Sequence, residues 1–138
     1  MNIVVGALAS VWLGMVLAIS FVEAPLKFGA PGVTLPIGLA IGRRVFGALN
    51  RIEVVLAAAI VVAAAAGARP AAAIAAGAVA IGALVIQLVA VRPFLVRRSD
   101  RVLAGETDGA RSRAHHGYVV LELLKVAALV TLAIVALR

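Results

Sequence analysis

Residues 35–66 read LPIGLAIGRRVFGALNRIEVVLAAAIVVAAAA, an unbroken helical pattern with no charge after Glu53. At 1.5 Å rise per residue this stretch is about 48 Å long. A hydrocarbon core is about 30 Å thick and needs about 20 residues of helix. The stretch overshoots it. Residues 35–47 are therefore expected to form an interfacial helix and 47–66 to cross. Thr34 is placed to cap the helix, with Pro36 in its first turn.

Outward from it lie three more apolar blocks of spanning length, at about 3–22, 71–91 and 117–137. The turn 67–70 is short, so the second and third helices are antiparallel neighbours. The chain reads as an all-α integral membrane protein, one four-helix transmembrane domain over residues 1–138. Residues 23–36 (EAPLKFGAPGVTLP) hold three prolines and two glycines. Proline removes a backbone donor and biases its predecessor away from the helix, so an ordered interfacial loop is expected there. The polar stretch 92–114 reads as a long connector with a turn at 104–109 (AGETDG).

The composition agrees. Hydrophobic residues make up 64% of the chain and the mean hydropathy is +1.16, far above a soluble domain. Without cysteine there is no disulfide, thiolate metal site or cysteine nucleophile. The net charge of +7 punctuates apolar blocks and lines no single face, which points away from nucleic acid. Lys27, Arg43, Arg44 and Arg51 follow the first span; Arg92, Arg97, Arg98, Arg101, Arg111 and Arg113 follow the third; Arg69 and Arg138 lie on the other side. By the positive-inside rule both richer connectors are cytoplasmic and both termini are not. A multi-pass protein of the inner (plasma) membrane is expected, with no cleaved signal peptide, because no basic residue precedes the first span.

Small residues recur every fourth position in the first helix, at Gly6, Ser10, Gly14 and Ala18, and again around Gly77 and Gly82 in the third. This spacing lets helices approach closely in lipid, within one bundle or between subunits. Trp12 sits mid-span and reads as a packing residue.

Two polar stripes carry the functional signal. Residues three and four apart share a helix face. Arg43, Asn50 and Glu53 line one face of the second helix; His115, Tyr118, Glu122 and Lys125 line one face of the fourth. Ionisable groups within a span are costly and usually face a protein interior or a wet cavity. The offset between the stripes is a constant 72 residues for Glu53 and Lys125, Asn50 and Glu122, and Arg43 and His115. Parallel helices that start level then bring each pair together, with a Glu53–Lys125 ion pair at the floor. Gln87 falls at similar depth on the third helix.

One buried polar cluster is expected from Arg43, Asn50, Glu53, Gln87, His115, Tyr118, Glu122 and Lys125. It would bind or transport a small polar ligand, an ion or a lipid headgroup, with Arg43, Arg44, Arg51 and Lys27 available to an anionic lipid. No metal set is assigned, because the Glu-x-x-His repeat of di-iron bundles is missing. No serine has a meaningful spacing to a base, and no phosphate-binding glycine loop is present. No cofactor is named. A membrane enzyme acting on a lipophilic substrate, and a structural subunit of a membrane complex, are the alternatives.

FVEAPLKF at 21–28, IGRRVFGALN at 41–50 and HHGYVVLEL at 115–123 resemble the small four-span family of unsettled function that includes the human cisplatin-resistance-associated transmembrane protein. That resemblance implies four spans and leaves the activity open. Arg43, Asn50 and Glu53 also match the spacing in the second helix of the MAPEG enzymes, although Gly47 stands where those carry a second Arg. This second resemblance implies a homo-oligomer that binds glutathione between subunits and acts on lipophilic electrophiles.

Overall fold

Every long apolar stretch is a helix in the computed structural model, which describes residues 2–105 and 113–138, with side chains from 116 onward in the last helix. The helices are α1 (Ile3–Val16), α2 (Ala24–Phe28), α3 (Leu35–Ala65), α4 (Ala71–Ile86), α5 (Arg92–Leu103) and α6 (Arg113–Leu137). A π-helical stretch, Leu17–Glu23, joins α1 to α2, and another, Gln87–Val91, joins α4 to α5. No strand occurs among the described residues. Four continuous helices are long and apolar enough to cross a bilayer: Ile3–Phe28, Leu35–Ala65, Ala71–Leu103 and His116–Leu137. The chain is an all-α, multi-pass membrane protein.

Thr34 caps α3 as expected, its Oγ1 accepting from the Ile37 N–H at 3.4 Å, with Pro36 in the first turn. At the far end of α3, Arg69 Nη2 donates to the Ala63 carbonyl at 2.6 Å. A cation at this position also suits the negative end of the helix dipole. The Asn2 N–H donates to the Ala136 carbonyl at 2.7 Å. Both termini and the α3–α4 turn therefore share one end of the bundle. Lys27, Arg43 and Arg92 lie toward the other.

Two helices run past the spans read from sequence. The first continues to Phe28, beyond 22, and the third to Leu103, beyond 91. The loop is correspondingly shorter than 23–36. Both extensions pass a proline, Pro25 and Pro93, in the first turn of α2 and α5. Within an α-helix such a ring meets the carbonyl four residues earlier. The chain answers by widening the turn before each proline. Ala24 donates to Ile19, and Arg92 donates to Gln87, both five residues back. A π turn of this kind re-aims side chains without breaking the helix. Residues 106–112, and with them most of the turn read at 104–109, lie outside the described residues.

The core is built from Trp12 and Val16 on α1, Ile60 on α3, small residues on α4, and Leu129 and Leu132 on α6. Ala73, Ala76 and Ala80 present a flat strip through which α4 packs on α6. Between apolar helices in lipid this close contact replaces the hydrophobic drive available in water. The outward residues are large and apolar: Val62 is 72% exposed and Val89 73%. Such a surface fits acyl chains and would be a broad liability in water.

Candidate functional site

Lys125 on α6 is fully buried, and three acceptors surround its ammonium. Nζ lies 2.5 Å from Glu53 Oε1, 2.5 Å from Glu122 Oε1 and 2.8 Å from Gln87 Oε1. Two of these contacts, to Glu53 and Gln87, are hydrogen bonds, and the third, to Glu122, is an ion pair. The acceptors are held in turn. Trp12 Nε1 donates to Glu53 Oε1 at 2.9 Å. Gln87 Nε2 donates to Glu122 Oε1 at 2.8 Å and toward the Tyr118 carbonyl at 3.4 Å. Ser20 Oγ donates to Glu122 Oε2 at 2.5 Å.

Each of the four spans contributes to this network. Trp12 and Ser20 come from the first, Glu53 from the second, Gln87 from the third, and Glu122 and Lys125 from the fourth. Ser20 and Gln87 both belong to the π stretches. A lone charge at mid-depth costs about 2.5–3.5 kcal/mol on insertion scales. Mutual pairing offsets much of that cost.

Beside the network lies a cavity of about 230 Å³. Its walls are apolar, including Phe21, Phe28, Leu39, Phe46 and Val119. Its inner end carries Ser20, Asn50, Tyr118 and Glu122, and its outer end Lys27, Arg43, Arg92 and Arg98. Asn50 is 2% exposed, and neither Oδ1 nor Nδ2 finds a hydrogen-bond partner among the described residues. The Tyr118 hydroxyl is in the same condition. Its ring is held edge-on by Phe46, with centroids 5.9 Å apart. Buried polar atoms are nearly always satisfied, so orphans that face a cavity indicate where a bound molecule would make bonds.

At the mouth, Arg43 pairs with Asp100, and Lys27 lies 3.5 Å from Glu23. Arg92 rests against α3 because Gly47 has no side chain; a Cβ there would stand 3.0 Å from Nη2. A shallow basic depression, lined by Arg43, Arg44, Arg51 and Arg92, adjoins the mouth.

The structure brings together most of the residues singled out from sequence. Glu53, Gln87, Glu122 and Lys125 form the network. Asn50 and Tyr118 face the cavity that Glu122 also lines. The expected pairing of Asn50 with Glu122 is not made. Glu122 is occupied by Lys125, Gln87 and Ser20, which leaves Asn50 open to the cavity. Arg43 turns to Asp100 at the mouth. The side chain of His115 lies outside the described residues, and with it the expected approach of Arg43.

Two members were not foreseen. Ser20 is aimed inward by the widened turn, and its only signal was a proline five residues on. Trp12 packs in the core as expected, and it is also the donor to Glu53.

No family model, no curated protein and no solved structure matches this chain.

Proposed function

We propose that the protein binds an elongated amphipathic anion, its charged end at the basic mouth and a hydrogen-bonding group at Asn50 and Tyr118. The observation that carries this reading is the pair of orphaned buried side chains at the blind end of an apolar cavity with a cationic entrance. The charge gradient orients the ligand. Lys27, Arg43, Arg92 and Arg98 line the outer end, with Lys27 and Arg43 paired to Glu23 and Asp100, and the carboxylate of Glu122 lines the inner one. The length follows from α3. Arg43 and Asn50 are seven residues apart, about 10 Å of helical rise, which an eight-carbon chain spans. A medium-chain acid with a hydroxyl or carbonyl at its far end fits these constraints.

In this proposal the basic mouth faces the cytoplasm and both termini the opposite side of the inner (plasma) membrane, as the positive-inside rule requires. The proposal includes kinship with the small four-span family that the motifs at 21–28, 41–50 and 115–123 resemble. A purely structural subunit would close its polar centre completely, and the unpartnered Asn50 and Tyr118 run against that. An enzyme using Glu53 as its base is disfavoured as well, because Glu53 is engaged by Lys125 and Trp12 and does not line the cavity.

The test is calorimetric titration of the purified protein in phosphatidylcholine nanodiscs. Octanoate, 8-hydroxyoctanoate and octane-1,8-diol serve as probes. Saturable binding is expected in the order 8-hydroxyoctanoate, octanoate, diol. Equal binding of all three, or none of any, would overturn the reading.

A further inference from the structure

The charges at the centre of the bundle do not balance. Glu53 and Glu122 bring two carboxylates against the one ammonium of Lys125, and the three residues are 0%, 2% and 0% exposed. The remaining groups around them do not supply the missing positive charge. From the first span come Trp12 and Ser20, and from the third Gln87, all neutral. Tyr118 on α6 carries a phenol. Arg92, Arg43 and Lys27, the last paired with Glu23, belong to the outer end of the cavity.

Counting donors and acceptors locates the shortfall. Lys125 donates to Glu53 and Gln87 and forms an ion pair with Glu122. Glu53 Oε1 accepts from Lys125 and Trp12. Glu122 Oε1 accepts from Gln87 and is ion-paired with Lys125, and Glu122 Oε2 accepts from Ser20. Glu53 Oε2 is buried with no partner among the described residues. One turn away on the same helix face, the wholly unpartnered amide of Asn50 is a second sign that this region is built to hold something more. A bare carboxylate oxygen in a low-dielectric interior takes up a proton in preference to staying charged. Among the described residues no three His, Cys, Asp or Glu side chains converge to hold a metal ion instead.

We propose that the Glu53–Lys125–Glu122 triad is an intramembrane proton-binding site. It holds one exchangeable proton at neutral pH, resting on Glu53 Oε2. Ser20, bonded to Glu122 Oε2 and itself lining the cavity, connects the site to the cavity's inner end. The site stands whatever molecule fills the cavity.

Infrared spectra of the protein in phosphatidylcholine liposomes at pH 7 test the assignment. The wild type is expected to show a carboxylic-acid carbonyl band that shifts in D₂O. Glu53→Gln and Glu122→Gln are each expected to abolish it, because one carboxylate and Lys125 then balance. Lys125→Met is expected to strengthen it, because both acids are then neutral. The two glutamine variants decide the question even if Lys125→Met fails to fold. Absence of the band in the wild type overturns the proposal, and so does a band indifferent to both glutamine substitutions. A band that appears only when sodium is replaced by choline also overturns it, since a metal cation would then occupy the site.

Discussion

Lys125 Nζ and Glu53 Oε1 lie 2.5 Å apart although 72 residues separate them and neither side chain has any exposed surface. The four-methylene stem of the lysine crosses the bundle interior and delivers its charge to the other stripe. That one contact joins the second and fourth spans, and Gln87 and Trp12 tie the third and first to the same pair of atoms.

Removing the ammonium leaves two buried carboxylates facing each other. Lys125→Met is therefore expected to destabilise the protein by about 3 kcal/mol, the low end for breaking a buried pair because a carboxylate can be neutralised by a proton. Adding Glu53→Leu should restore part of the loss. Unfolding in detergent, followed by circular dichroism, measures both, and equal stability of Lys125→Met and parent would rule out a buried partnership.

Trp12→Phe keeps an aromatic ring in the core, deletes the indole N–H and leaves part of the larger bicyclic ring's volume unfilled. The lost bond to Glu53 is worth about 1–2 kcal/mol, a charged acceptor raising it and the membrane reference state lowering it. The same unfolding assay reads it. A larger loss would mean that the ring's packing, more than the bond to Glu53, carries the contribution.

Asn50 behaves in the opposite sense. Both of its side-chain polar atoms are buried without partners among the described residues, so Asn50→Leu is expected to leave stability unchanged or raise it by about 1–2 kcal/mol. The preference for 8-hydroxyoctanoate over octanoate should vanish in the same variant. A gain in stability at a cost in binding is what a functional cavity predicts. Calorimetry of the variant with both acids decides the point.

Glycines separate wall from surface. A Cβ on Gly38 would run into the ring of Phe28, and both residues line the cavity. Gly38→Ala should push that ring inward and weaken octanoate binding at least tenfold, about 1.4 kcal/mol. Gly14 has nothing within 4 Å of such a Cβ. Gly14→Ala should leave binding intact and raise stability by about 0.5–1 kcal/mol through helix propensity. Similar effects at both positions would place the cavity elsewhere.

Much of the site was readable from residue order alone. The constant offset of the two stripes paired Glu53 with Lys125 correctly, because parallel helices of similar length compare depth residue by residue. The partners of Glu122 were not readable in the same way. They depend on Ser20 and Gln87, whose directions are set by widened turns that regular helical spacing does not anticipate. The helices continue past 22 and 91 for the same reason: a proline that ends an α-helix can be carried by a π turn placed just before it.

Hydropathy and length by themselves determined four spans, their order and the short α3–α4 turn, since the bilayer admits few structures other than helices with internally paired backbones. The same pattern marked which faces had to leave the lipid. Only the folded bundle decided which polar atoms meet and which stay unpaired. Spacing along a helix places a side chain on a face, whereas a hydrogen bond of 2.5–2.9 Å depends on how four helices are rotated against one another. That rotation is the sum of packing contacts spread over the whole chain.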